Sequence, residues 1–370
     1  MKTLYLLFVG VIFVIGLVII FSTSSAEILD HKLNRSSYEA LFKQLAFAVA
    51  GGVLGLWIWS LGYRKLLRWS TPLLCFFSLF LLLALIPGIG REVNGSRRWI
   101  AVGGFSFQPS EFVKYLLPLS CIQQIVNNRA HSIKFRKFVF LLIPLSLPLV
   151  LILLEPNNGT VIVIAATMAA LFFVARIPFN YWASPLLALG VAVGVFASHL
   201  PYVSGRLKVY LHPELDIRGK GYQPHQAKIA AGSGRLFGKG PGKSWQKLSF
   251  LPEAQNDYIA AIYAEEFGFI GILLLIVLYM LLTFIGFYLA NHAEDLEGFY
   301  TAVIVTFLLS FQVFLNLGVV SGLLPTTGLN LPFFSQGGSS LIANLSGVGL
   351  LISIQRVSSN EEQPLTFGDC

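Results

Sequence analysis

The chain has 370 residues, 55% of them apolar and only 12% charged, with a net charge of +8. Soluble domains carry about 25% charged residues, so a water-soluble one- or two-domain fold is excluded, and intrinsic disorder with it. An all-α polytopic membrane protein remains, and the positive balance becomes a question of sidedness, with no nucleic acid expected as a partner. Cys75, Cys121 and Cys370 have no zinc or disulfide spacing, and the last sits too late for a prenylation box.

A helix crosses the hydrocarbon with about 20 apolar residues. In chain order the apolar runs predict spans at Leu4–Ser22, Gln44–Gly62, Pro72–Pro87, Ser110–Val126, Phe138–Leu154, Thr160–Ala175, Trp182–His199, Phe267–Ala290, Tyr300–Val320 and Ser339–Ile354. That makes about ten transmembrane helices in a single domain over residues 1–370, the fourth and tenth being the least hydrophobic. The first run is longer than a signal-peptide core and lacks a strongly basic start, so it is expected to stay as a span. With the amino terminus inside, the short inner segments carry ten Lys and Arg and the short outer loops six, which predicts two cytoplasmic termini.

One large loop, residues 201–258 between the seventh and eighth spans, falls outside. It holds nine basic residues, among them Arg206 and Lys239, against four acids, Glu214, Asp216, Glu253 and Asp257. Loops this long in compact proteins usually carry function, and the cationic excess fits an anionic phosphate or pyrophosphate group. A solvated loop touching lipid headgroups fits the composition equally well. Gly238 to Ser244 imitates a nucleotide-binding P-loop, but only three residues separate Gly238 from Gly242-Lys243-Ser244 where that motif needs four, and no strand precedes it.

Charges within or beside spans are expensive and become functional candidates. Glu111 and Lys114, three apart, share one helix face and are expected to pair. Glu265 and Glu266 open the eighth predicted span, where they would favour the helix dipole. Asp257 stands just before that helix. Position alone allows a helix cap or a base at the membrane surface, and favours the cap.

Three blocks point to a family. Asn94-Gly95-Ser96-Arg97-Arg98-Trp99-Ile100 is followed by Phe107-Gln108-Pro109-Ser110-Glu111-Phe112-Val113-Lys114. The large loop carries Gly221-Tyr222-Gln223, Gly232-Ser233-Gly234, Leu236-Phe237-Gly238-Lys239-Gly240 and Leu251-Pro252-Glu253-Ala254-Gln255-Asn256-Asp257. The last outer loop carries Pro325-Thr326-Thr327-Gly328, Leu331-Pro332-Phe333 and Ser335-Gln336-Gly337-Gly338-Ser339-Ser340. In content and order these resemble the SEDS family (shape, elongation, division and sporulation proteins) over nearly the whole chain.

The resemblance implies peptidoglycan glycosyltransfer, the polymerisation of lipid II, in the bacterial cytoplasmic membrane. Asp257 matches the family's essential loop aspartate. Arg206, Lys239, Glu253, Arg97, Arg98, Glu111, Lys114, Gln226 and Ser339 are then expected to bind substrate or shape its cavity, with Arg206 and Lys239 the first choices to stabilise the leaving pyrophosphate. A divalent cation, Mg or Mn, is compatible, although no ligand cluster demands one. The implied partners are a class B penicillin-binding protein, which would crosslink the strands, and other division or elongation proteins. Several positions depart from the family pattern. Gln255-Asn256 replaces His-Thr, Gln336 replaces Tyr, Asn157 replaces an acid in Glu155-Pro156-Asn157-Asn158-Gly159-Thr160, and Thr327 stands where a basic residue is common. The blocks lean toward the division-type branch. A lipid II flippase and a scaffold with weakened catalysis are the competing readings.

Overall fold

A computed structural model of the chain describes residues 1–31, 38–93, 96–102, 105–128, 135–184, 187, 219, 221–248, 251 and 254–361. The described residues form helices α1 (Lys2–His31), α2 (Tyr38–Leu61), α3 (Tyr63–Leu85), α4 (Ser110–Asn128), α5 (Phe135–Leu154), α6 (Asn158–Val174), α7 (Tyr222–Ser233), α8 (Ile259–Asn291), α9 (Leu296–Val320) and α10 (Gly338–Glu361). Among them α1, α2, α3, α5, α8, α9 and α10 are long and apolar enough to cross a membrane. The 17-residue α6 is apolar but shorter, and α4 carries too many polar residues to qualify by composition. The predicted seventh span, Trp182–His199, lies mostly outside the described residues.

Packing follows membrane logic, in which small residues let helices approach. Gly51 and Gly55 of α2 face α10. A Cβ on Gly349 would come within 2.7 Å of the Gly55 Cα, and one on Gly51 within 3.0 Å of the Ile342 Cα. The central helix is α9, buried along most of its length and touching α4, α6, α8 and α10.

The segment between α3 and α4 is not the irregular loop that an all-α reading expects. It is a three-stranded antiparallel sheet of β1 (Gly90–Val93), β2 (Ser96–Val102) and β3 (Phe105–Phe107), in that spatial order. Phe107 ties it to the bundle, its ring 6.1 Å from Phe80 of α3 and 5.4 Å from Phe112 of α4.

Helix α8 begins eight residues earlier than its apolar run predicts, and it breaks at Gly268, where φ is 68° and ψ is −164°. A broken helix at membrane depth must find new partners for the freed backbone groups. Here residues 235–240 supply them. Lys239 and Gly240 N–H donate to the Glu265 and Glu266 carbonyls at 2.9 and 3.0 Å, while Phe269 and Ile270 N–H donate to the Arg235 and Leu236 carbonyls at 2.8 and 3.1 Å.

Candidate functional site

At the end of the bundle where α8 begins and α9 finishes lies a cavity of about 160 Å³. Gln223 and Pro224 of α7, Asp257 and Tyr258, Asn316 and Val319 of α9, and residues 326–329 of the last loop line it. Asp257 occupies the turn before α8, whose N-cap is Tyr258.

Two amides on α9, one turn apart, fix the cavity wall. Asn316 Nδ2 donates to the Asp257 carbonyl at 2.9 Å and to the Leu329 carbonyl at 2.7 Å. Gln312 Nε2 donates to the Asn330 carbonyl at 2.8 Å, and its Oε1 accepts from Lys114 Nζ at 2.9 Å. Lys114 Nζ also reaches Glu111 Oε2 at 2.6 Å, so the expected pair forms, both residues buried. Asn316 and Gln312 were absent from the predicted site. Their signal was two amides in an otherwise apolar span, which is costly without partners.

The last loop is pinned from several sides. Tyr279 Oη donates to the Pro332 carbonyl at 2.6 Å, Gln44 Nε2 to the Ser335 carbonyl at 3.2 Å, and Asn330 Nδ2 to the Gln336 carbonyl at 2.8 Å. Two departures from the family pattern meet here, since Gln336 N–H donates to the Gln255 carbonyl at 3.0 Å. A third, Asn157, joins α6 to α4: its Nδ2 donates to Ser110 Oγ at 3.2 Å and its Oδ1 accepts from Thr160 Oγ1 at 3.0 Å. Gly159, in the first turn of α6, packs against the Thr327 carbonyl so closely that no Cβ fits.

The other predicted residues are spread more widely. Lys239 is committed to Glu265, Nζ to Oε1 at 2.5 Å. Glu265 also accepts from Ser244 Oγ and from the Trp245 and Gln246 N–H groups, and Glu266 pairs with Lys247 at 2.8 Å. These two acids therefore lie within α8, just before its break, and organise the large loop. They are not helix-opening residues, because the helix starts at Ile259. Arg97 of β2 pairs with Glu92 of β1 at 3.0 Å on the exposed hairpin. Arg98 is buried, and its guanidinium caps the end of α5 by donating to the Glu155 and Pro156 carbonyls. Ser339 Oγ accepts from the Gln108 N–H at 2.9 Å, joining α10 to the start of α4. Gln226 is half-buried on α7, and its neighbours Gln223 and Pro224 line the cavity instead. Arg206 and Glu253 lie outside the described residues. Lys228, which was not predicted, extends from α7 over the last loop; its Nζ lies 2.7 Å from where a Gly322 Cβ would sit.

Glu155, one residue past α5, is fully buried, and neither carboxylate oxygen has a hydrogen-bond partner among the described residues. Burial pushes its pKa up to about 8, against the opposing charge of Arg98. Among the described residues no three His, Cys, Asp or Glu side chains converge on a common point.

The helical bundle, the pinned last loop and the cavity that Asp257 lines define a polytopic membrane protein with a pocket at a helix entry. The family model of the FtsW/RodA/SpoVE cell cycle proteins matches residues 2–360, and the chain belongs to that family. It is 40% identical over 348 residues to stage V sporulation protein E of Bacillus subtilis, covering 93% of this chain and 94% of that one. It is 37% identical over 343 residues to a probable peptidoglycan glycosyltransferase FtsW of Trichlorobacter lovleyi, covering 92% and 89%. Among solved structures, a chain described under structural coordination of polymerization and crosslinking by a peptidoglycan synthase complex superposes with a TM-score of 0.76 at 29% identity, covering 95% of this chain and 97% of that one. The rod shape determining protein RodA of Thermus thermophilus superposes with a TM-score of 0.69 at 29% identity, covering 95% of each.

Proposed function

We propose that this chain polymerises lipid II, with Asp257 as the general base of the glycosyl transfer. The chain is a peptidoglycan glycosyltransferase, the activity for which its FtsW relatives are named. The observation that carries the assignment is the placement of Asp257 in a cavity lined by α7, the turn into α8, α9 and the last loop, with Asn316 of α9 bonded to the Asp257 and Leu329 carbonyls. Such preorganisation is what positions a reacting group.

In the reaction a sugar hydroxyl attacks the anomeric carbon of a second lipid II. Its proton passes to the Asp257 carboxylate as the new glycosidic bond forms, and the bond to the polyprenyl pyrophosphate breaks with both electrons leaving on that group. Cationic side chains would stabilise the charge developing there. Lys239 is a poor choice for this, its charge being already matched by Glu265. Lys228, over the last loop, replaces it beside Arg206 as first choice. A divalent cation would supplement those side chains by neutralising the pyrophosphate, since Mg²⁺ commonly binds substrate phosphates and water with few protein ligands.

The full topology goes with this reading: ten crossings, the large loop between the seventh and eighth, both termini cytoplasmic, in the bacterial inner membrane. A class B penicillin-binding protein is the proposed partner, supported by the likeness to a synthase complex that joins polymerization and crosslinking. The division branch is supported by FtsW relatives at 36–39% identity. A transporter would need mobile charges along a path through the bilayer, whereas Glu111 and Lys114 are locked to each other and to Gln312. The test is reconstitution of the purified chain with fluorescent lipid II, with and without the partner. Glycan ladders on gels support polymerisation. Movement of lipid II across vesicles with no glycan formed would favour transport.

A further inference from the structure

The turn that closes the break in α8 carries an apolar pair directed outward. Leu236 is 59% exposed and Phe237 79%. The backbone around them is fixed, so neither can fold inward. Arg235 (φ 49°) and Gly238 (φ 79°) bracket the pair in left-handed conformations, and residues 235–240 are hydrogen-bonded to α8 on both sides of its break. Trp245, further along the same loop, is 63% exposed. Apolar surface held outward in this way marks an interaction site.

The depth of the patch follows from α8. A hydrocarbon core takes about 20 helical residues. Counted back from Asn291, the polar end of the helix, that stretch reaches Gly271. The break at Gly268 therefore falls about one turn outside it, at the boundary with the headgroups. Just past the break, Phe269 and Ile270 are exposed, as are Leu273 and Leu274 a turn further on. These are lipid-facing residues of a membrane span. Phe269 and Ile270 are also the two whose N–H groups donate to the Arg235 and Leu236 carbonyls, so the apolar face of the turn continues a surface already in lipid. Polar groups are layered on the other side of the break. The Trp245 and Gln246 N–H groups bond to Glu265. Arg235 and Lys243 are exposed, with no ion-pair partner among the described residues. A tryptophan and unmatched cations at this level suit the zone of lipid headgroups and phosphates.

We propose that residues 235–245 form a membrane wedge. Leu236 and Phe237 insert among the acyl chains of the near leaflet beside α8, Trp245 lies at the interface, and Arg235 and Lys243 meet lipid phosphates. The occupant of the patch is the bilayer, which ties this part of the large loop to the membrane surface. This contact depends on the span of α8 and not on glycosyl transfer.

The experiment places the full chain in nanodiscs of phosphatidylcholine and phosphatidylglycerol. Cys75→Ser and Cys370→Ser remove the accessible thiols, Cys121 being buried. A single nitrobenzoxadiazole reporter is then attached at Phe237→Cys or at Lys243→Cys. Lipids brominated on the acyl chain should quench the reporter at 237. Aqueous iodide should quench it at least about fivefold less than the one at 243, as expected of a side chain sunk about 5–10 Å into the interface. Equal iodide quenching at the two positions, with no effect of the brominated lipid, would overturn insertion. So would shielding at 237 that arises only when a class B penicillin-binding protein is added, since the patch would then belong to a protein contact. A second measurement needs no substitution: a lipid with a photoreactive diazirine on its acyl chain is activated beside the wild-type chain, and the adducts are mapped by mass spectrometry. Adducts at 236–237 are expected beside those along 269–284. Adducts on α8 with none on the turn would refute the wedge even if the labelled variants failed to fold.

Discussion

The break in α8 makes a sharp structural prediction. Gly268 holds φ 68° and ψ −164°, a region open essentially to glycine alone, where another residue costs about 1–3 kcal/mol. A Cβ there would also fall on the Gly238 N and within 2.6 Å of the Leu236 carbonyl oxygen. Gly268→Ala must therefore push the 235–240 turn outward. That turn makes four hydrogen bonds to the broken helix, and each group left unpaired in apolar surroundings costs about 1–3 kcal/mol. Losing one or two of the four, together with the backbone strain, brings the total to about 2–9 kcal/mol. The assay is thermal unfolding of the detergent-purified protein, beside limited trypsin cleavage within 235–247. Gly10→Ala is the control, since nothing lies within 4 Å of a Cβ at that exposed position of α1. Gly268→Ala should melt well below the control and be nicked faster in the turn. If the two variants melt within about 2 °C of each other and cleave alike, the turn does not support the break and the argument is wrong.

Three further outcomes follow from buried polar groups and a close glycine contact. Lys114→Met strands Glu111 without its cation and should cost about 3–5 kcal/mol in denaturant or thermal unfolding, while adding Glu111→Gln should recover most of the loss. Glu155 has a folded pKa raised from 4.5 to about 8, so its favourable contribution is intact below about pH 4.5 and lost as pH climbs toward 8. Melting curves of Glu155→Gln should accordingly lack the decline between about pH 4.5 and 8 expected of the wild type, which is steepest at about 1.4 kcal/mol per pH unit. Gly159→Ala forces α6 away from the Thr327 carbonyl and should lower polymerisation while leaving lipid II binding within about twofold, because it displaces the cavity wall rather than a binding group.

The membrane class and most spans were legible because composition and apolar run length decide them. The boundaries of α8 were not. Glu265 and Glu266 interrupt the apolar run, and only the folded loop shows that both are neutralised by lysines about twenty residues upstream. The same kind of distant pairing ties Lys239 to Glu265. The hairpin was readable in principle, since Ser96, Arg98 and Ile100 are buried in alternation with Arg97 and Trp99, a period of two. Arg98 breaks the usual polarity of such a pattern because it is buried to cap α5. Asp257 was placed by motif, and the structure adds what holds it: Asn316, from a helix about sixty residues later, which no local pattern connects to it.

The central claim is that the Asp257 carboxylate removes the proton from the attacking hydroxyl. The most direct measurement compares initial polymerisation rates of wild type and Asp257→Asn at equal reconstitution and equal lipid II binding. The account predicts a fall of at least about 100-fold with binding preserved, the scale of a lost general base. Glycan synthesis by the amide variant at near wild-type rate would contradict it.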